Sequence, residues 1–230
     1  MWLVLRGGVR RGAGIACWVV QPLYLVLELA VAAAASASYS LRDDTISTLG
    51  QIGCASGAAG ASAASIASGA VEGVCSPGHA ALNAGFVIFG LLRAVGALLL
   101  RDQLAPSRRR ITAVALWVGS GVFSAAVGIA PVDTQPTVHG LVAAPLFVLQ
   151  PLAVVATALA GGWRPEADRV LRLTGLVAGG LSVAGALAFG ARLGQPTWLG
   201  AAERLALWPG YLWLGLAASI LVAASWWKAR

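Results

Sequence analysis

Six stretches of this sequence stay apolar for long enough to cross a lipid bilayer, and that feature limits the fold more than any other. A helix needs ~20 predominantly apolar residues to span a hydrocarbon core about 30 Å thick. Residues 14–36, 80–100, 111–130, 138–161, 173–190 and 205–227 qualify. Transmembrane β-strands are shorter and alternate in polarity. Unbroken runs of this length therefore predict an all-α integral membrane protein, a six-helix bundle forming one membrane domain over residues 1–230. Composition agrees: 58% of residues are hydrophobic and 11% charged, against about a quarter charged in a soluble domain. A water-soluble globule is excluded. Gly and Ala crowd the runs, as in 178-AGGLSVAGALAFG-190, and small residues let helix backbones approach closely.

The net charge of +7 comes from basic clusters between the runs rather than from a face suited to nucleic acid. Such clusters set membrane orientation. With the N-terminus inside, twelve of the 16 basic residues fall in inner segments, among them 108-RRR-110. Only Arg42, Arg192 and Arg204 fall outside, and Arg93 lies within a span. Both termini are therefore expected in the cytoplasm, with the protein in the cell membrane. The basic start, apolar run and 33-AAASAS-38 resemble a cleavable signal, but the run is long for one and contains Gln21 and Glu28. The Gly/Ala/Ser-rich segment 50–75 reads as part of an outer loop, 37–79. A span there would place 108-RRR-110 outside, against the positive-inside rule. Cys54 and Cys75 lie in this loop, where an oxidising environment favours a disulfide; the alternative is two unpaired small residues. Cys17 reads as a buried thiol.

With the inner arginines explained by orientation, the remaining reactive side chains gather at the outer ends of the helices. The segment 42-RDDTISTLG-50 supplies Arg42, Asp43 and Asp44, and 76-SPGHAALNAGF-86 supplies His79 and Asn83. Asp133 and His139 come from 130-APVDTQPTVHG-140, and Glu203 and Arg204 from 200-GAAERLALW-208. Carboxyls and imidazoles move protons, so Asp133, His139, Glu203, Asp44 and Glu28 are the candidate catalytic residues. Guanidiniums hold phosphates or developing anions, so Arg42 and Arg204 are candidate substrate-binding residues, and the polar Asp43 and Asn83 at the same level are counted with them. Each also has a bland reading as a turn or cap residue. Glu28 and Arg93 are charges within the spans, where they usually face the bundle interior. We read them as an ion pair pinning the first two spans, the alternative being a protonated Glu28 acting as an acid. Trp18 falls near a helix end, where tryptophan anchors at the headgroups. Trp117, Trp208 and Trp213 lie deeper, where they would line an apolar cavity. Pro145 and Pro151 are expected to bend the fourth span.

The segments 39-YSLRDDTISTLG-50, 82-LNAGFVIFGLL-92, 128-GIAPVDTQPTVHGL-141 and 203-ER-204, in this order, resemble the bacterial and archaeal membrane family catalogued as domain-of-unknown-function 998. The Cys-bracketed insertion between the first two motifs departs from it. The resemblance implies a six-helix bundle with its signature residues on one face and implies no activity. Membrane hydrolases of the alkaline ceramidase group look similar in helix count, but they need three zinc-binding histidines. This chain has His79 and His139 alone, so neither metal nor cofactor is expected.

The expected function is an enzyme acting on a membrane lipid or isoprenoid at the outer leaflet. The chemistry would be headgroup chemistry, or an acid-initiated cyclisation with tryptophans stabilising a carbocation. The alternative is a non-catalytic scaffold, partner subunit or small transporter. Transport is the weaker branch, because no inverted repeat or paired broken helices mark a midplane site.

Overall fold

The computed structural model describes residues 2–36, 39–53, 74–163 and 165–226. In a bilayer no water is present to bond backbone N–H and C=O groups, so apolar runs satisfy them internally as helices. The helices are α1 (Trp2–Val19), α2 (Leu23–Ala34), α3 (His79–Leu100), α4 (Arg108–Ile129), α5 (Pro136–Ala143), α6 (Leu146–Ala160), α7 (Pro165–Ala191) and α8 (Leu199–Trp226). Among the described residues, six segments are long and apolar enough to cross a membrane: Gly8–Ala34, His79–Gln103, Arg108–Ile129, Pro136–Ala160, Ala167–Ala191 and Leu199–Ala223. The protein is a multi-pass, all-α membrane bundle.

Two spans are interrupted. The first consists of α1 and α2, parted just before Leu23, and the fourth of α5 and α6, parted at Ala144–Pro145. Pro22 and Pro145 stand at these breaks, and each lacks an N–H and crowds the carbonyl four residues earlier. Pro151 lies inside α6 rather than at a break between helices, as Pro209 lies inside α8. The last span also starts earlier than its hydrophobicity indicates. Helix α8 begins at Leu199, which brings Glu203 and Arg204 inside the helix.

Small residues set the closest approaches. A Cβ added at Gly90 would lie 2.6 Å from the Gly121 carbonyl oxygen, and one at Gly121 would lie 2.4 Å from that of Gly90. These glycines join α3 to α4 backbone to backbone, as small-residue membrane interfaces do. Gly185 does the same between α7 and α8, with its added Cβ 2.3 Å from Ala206 N. Two tryptophans are placed differently from expectation. Trp18 is buried rather than at a headgroup belt, and Trp117 is a core residue rather than a cavity wall. Their rings lie 6.0 Å apart, and Trp117 Nε1 donates to Thr157 Oγ1 at 2.9 Å. Buried indoles need such partners for their N–H groups.

The two ends of the bundle differ chemically. At one, arginines reach the last carbonyls of helices, Arg10 to Leu98 and Arg109 to Leu159, and Arg11 reaches the Leu221 carbonyl farther inside α8. Cations there satisfy orphan carbonyls and the negative end of the helix dipole. At the other end the segment 39–53, expected to be an outer loop, folds into the mouth of the bundle. Ile46, Thr48 and Leu49 are fully buried, and Ser47–Gly50 forms a 3₁₀ turn. Its backbone seats directly on α8. Gly200 N donates to Asp43 O and Ala201 N to Arg42 O, which occupies N–H groups that a helix start leaves unpaired. A Cβ at Gly200 would lie 2.0 Å from Asp44 O, so only glycine admits the seat. Cys75 is disulfide-bonded, and Cys17 on α1 is free and half-buried rather than buried as expected; Cys54, the expected partner of Cys75, lies outside the described residues.

Candidate functional site

Arg204 is the hub beneath the inserted segment. Its Nε donates to Glu28 Oε1 at 2.9 Å, and its Nη1 to the carbonyls of Leu41 and Asp44 at 2.6 and 2.9 Å. Its Nη2 donates to the Tyr39 hydroxyl. Glu28 Oε2 accepts from Trp208 Nε1 at 2.9 Å. The pairing of Glu28 with Arg93 is thus corrected: the carboxylate of α2 is neutralised from α8. Arg93 instead donates to Ser120 Oγ at 2.8 Å and to Gln150 Oε1, with its guanidinium 4.4 Å from the Tyr211 ring centre. Glu28 needs a guanidinium at its own depth. Starting α8 at Leu199 provides one, one helical turn below the start.

Glu203, the residue immediately before Arg204 in α8, points elsewhere. Its Oε2 accepts from the Ile46 amide, and its side chain lines a cavity of about 250 Å³ shared with Thr45, Ser47, His139, Phe147 and Phe189. His139, 4% exposed, is held at both ring nitrogens: Nδ1 lies 2.7 Å from Ala130 O and Nε2 2.9 Å from Ser47 Oγ. Three separate chain segments thus bring an imidazole, a carboxyl and a hydroxyl to one cavity. Asp133, His139, Glu203 and Arg204 were expected around one enclosed cavity; His139 and Glu203 line this one, and Asp133 and Arg204 are not part of its wall.

The other candidates lie apart from that cavity and hold the inserted segment. Asp133 Oδ2 accepts from the amides of Ile52 and Gly53 at 2.9 and 2.8 Å. Asn83 Nδ2 donates to Gly50 O at 2.9 Å. Asp43 accepts from the Arg42 guanidinium and from the Trp198 amide, the latter at 2.9 Å. The Arg42 bonds, with the Trp198 amide, hold its carboxyl down at about 2. Asp44 takes the Ser40 amide at 2.7 Å, and burial pushes its carboxyl above the ordinary range. Burial likewise raises the Tyr39 phenol. His79 Nδ1 lies 2.8 Å from the Ser76 carbonyl at the start of α3. Among the described residues no three His, Cys, Asp or Glu side chains gather as metal ligands.

Compared with known families, residues 18–220 match the one described as Protein of unknown function (DUF998). The chain belongs to this family. No curated protein and no solved structure matches it. In this DUF998 chain the four segments singled out in the sequence all have a place: 39–50 seats in the mouth of the bundle, 82–92 carries its Asn83 clamp, 128–141 carries His139, and 203–204 supplies the hub and the cavity carboxyl. A second, larger concavity of about 1000 Å³ lies along α7 and α8, lined by Leu173, Leu181, Trp208, Leu212 and Trp213, with Arg42 and Trp198 at one end. Arg42 lies over the Trp198 ring at 5.5 Å. Trp208 and Trp213 are on this groove, as expected of tryptophans beside an apolar space. Sequence reasoning missed Ser47 and Tyr39 as site residues, although both stand in the 39–50 motif. The available signal was a polar Thr-Ile-Ser-Thr-Leu stretch with apolar residues too few for a span and too regular for a solvated loop.

Proposed function

We propose that the protein is a membrane-embedded enzyme acting on a lipid or isoprenoid substrate, with the 39–53 end facing outward. The observation that carries this reading is the sharing of one cavity by His139 and Glu203, both more than nine-tenths buried. Ionisable groups in a membrane interior are costly to bury and usually mark function. A cavity of about 250 Å³ accepts the reacting part of a lipid rather than the whole molecule. Its apolar wall of Phe147, Phe189 and Leu193 suits the first methylenes of a chain, and Leu193 is exposed at the rim. His139 would transfer the proton in the reacting step, and the Glu203 carboxyl would supply a second acid–base group. The arginine asymmetry of the sequence supports the outward orientation.

The test compares lipid extracts of cells with the wild-type protein, without it, and with His139→Ala or Glu203→Gln. At normal folded yield, each variant is expected to reproduce the lipid profile of cells lacking the protein, since losing one acid–base group slows a reaction by ~10²–10⁴-fold. A wild-type profile in both variants would sink the enzyme reading. One observation favours the second reading, a non-catalytic scaffold. The donors of Arg204 are committed to Glu28, Leu41, Asp44 and Tyr39, so that residue ties elements together rather than awaiting a phosphate.

A further inference from the structure

We propose that Ser47 is the nucleophile of this cavity, that His139 is its general base, and that the substrate is a carboxylic ester of a lipid, cleaved through an acyl-Ser47 intermediate. This rests on the enzyme reading above and names its reaction.

A carbonyl oxygen only accepts, so the contact between Ala130 O and His139 Nδ1 at 2.7 Å assigns the hydrogen to Nδ1. In the neutral imidazole Nε2 then carries a lone pair. At 2.9 Å, that lone pair accepts the Ser47 hydroxyl hydrogen. This is the geometry of an activated nucleophile: a hydroxyl on a base, and the base oriented by a third group. Here a backbone carbonyl takes the orienting place that a carboxylate holds in a Ser-His-Asp triad.

The hydroxyl is also held in place. The Ile46 amide, next to Ser47, is fixed by Glu203, and Gly50, at the end of the same 3₁₀ turn, is fixed by Asn83. Glu203 is thus a positioning residue for Ser47 as well as part of the cavity wall. Ser47 and His139 both line the cavity while only 8% and 4% exposed. A serine that merely capped the turn would have no need of an imidazole from a segment 92 positions away.

The chemistry balances without a further cofactor. Ser47 Oγ attacks the ester carbonyl carbon as its proton passes to His139 Nε2. The carbonyl π pair moves onto oxygen and then returns, breaking the bond to the alcohol oxygen, which leaves with the proton from Nε2. Water follows: Nε2 removes a proton, hydroxide adds to the acyl carbon, and the Ser47 oxygen departs and regains that proton. The products are a fatty acid and an alcohol. The apolar cavity wall selects an acyl chain.

The test uses the full-length protein in detergent micelles and a fluorophosphonate bearing a decyl chain, which phosphonylates activated serines with loss of fluoride. Adduct formation at Ser47, mapped by peptide mass spectrometry, is expected in the wild type. It should be absent in Ser47→Ala and at least ~100-fold slower in His139→Ala. Ser47→Cys keeps the size and the hydrogen bond, guards against misfolding, and should exchange fluorophosphonate reactivity for iodoacetamide reactivity at position 47. No adduct at Ser47 in folded wild type, or labelling unaffected by His139→Ala, overturns the proposal. The lipid extracts separate the two levels. If Ser47→Ala retains the wild-type profile while His139→Ala and Glu203→Gln lose it, the nucleophile falls and the enzyme reading stands. If all three retain it, both fall.

Discussion

The carboxylate of Glu28 closes on the guanidinium of Arg204 at 2.9 Å, across 176 positions of sequence, with the two side chains 0% and 6% exposed. This pair joins the first span to the last. It also fixes the inserted segment, because the same guanidinium holds the carbonyls of Leu41 and Asp44. Removing one member of a buried pair leaves the other charge uncompensated, at a cost of about 3–5 kcal/mol. Glu28→Gln and Arg204→Met should each lower thermal stability in detergent by that order. Their double mutant should be clearly non-additive, while Glu28→Gln combined with Arg93→Met should be additive within ~0.5 kcal/mol. Strong coupling of Glu28 to Arg93 would contradict the pairing.

Helix contact through glycine makes a sharper demand. At Gly121 a side chain meets the Gly90 carbonyl, whereas at Gly180 an added Cβ meets nothing within 4 Å. Gly121→Leu should therefore abolish folded yield, because overpacking a backbone contact forces α3 and α4 apart. Gly180→Leu should leave yield and unfolding temperature nearly unchanged. Equal yields for the two, measured by size-exclusion chromatography, would refute the close approach.

Acid should loosen the seat of the inserted segment through Asp43. Its carboxyl is held at about 2 in the folded protein, below the ordinary value of about 3.9. Its contribution is present above the ordinary value and is lost as pH falls through about 2. Asp44 runs the other way: burial raises it, so protonation favours its folded form. Comparing wild type with Asp43→Asn isolates the first effect. The wild type should lose its stability advantage over the variant between pH 4 and 2. Parallel curves over that window would show that the clamp is not electrostatic.

Orientation is tested by reporter fusions. Fusions after residues 105, 168 and 230 should read cytoplasmic, and those near 60, 134 and 197 should read outside, as the positive-inside rule requires. An outside signal at 105 inverts the bundle and removes the outer-leaflet substrate.

For the cysteines, a Cys54–Cys75 bridge should protect both residues from alkylation under non-reducing conditions and leave Cys17 reactive once the protein is unfolded. Mass spectrometry of alkylated, unreduced protein decides it, and alkylation at both Cys54 and Cys75 would exclude the bridge.

The helical class and the number of spans were legible in the sequence alone. Both follow from a one-dimensional quantity, the length of an apolar run against the thickness of a bilayer. The sequence also brought His139 and Glu203 to the same end of the bundle, because both stand near the start of a span. The tertiary structure decided the partners. Glu28 was legible as a buried charge, but whether Arg93 or Arg204 would neutralise it depended on where α8 starts and which helix lies beside α2. Asp133, Asn83 and Asp43 read as site residues and act as clamps, since a polar side chain near a helix mouth looks the same in sequence whether it faces a cavity or a backbone amide. Ser47 went unread for the opposite reason. A hydroxyl acquires its character from the imidazole beside it, and that contact forms only when residues 39–53 fold back into the mouth of the bundle. Such a fold-back is driven by burial of Ile46 and Leu49, two apolar residues too few to register as a hydrophobic run.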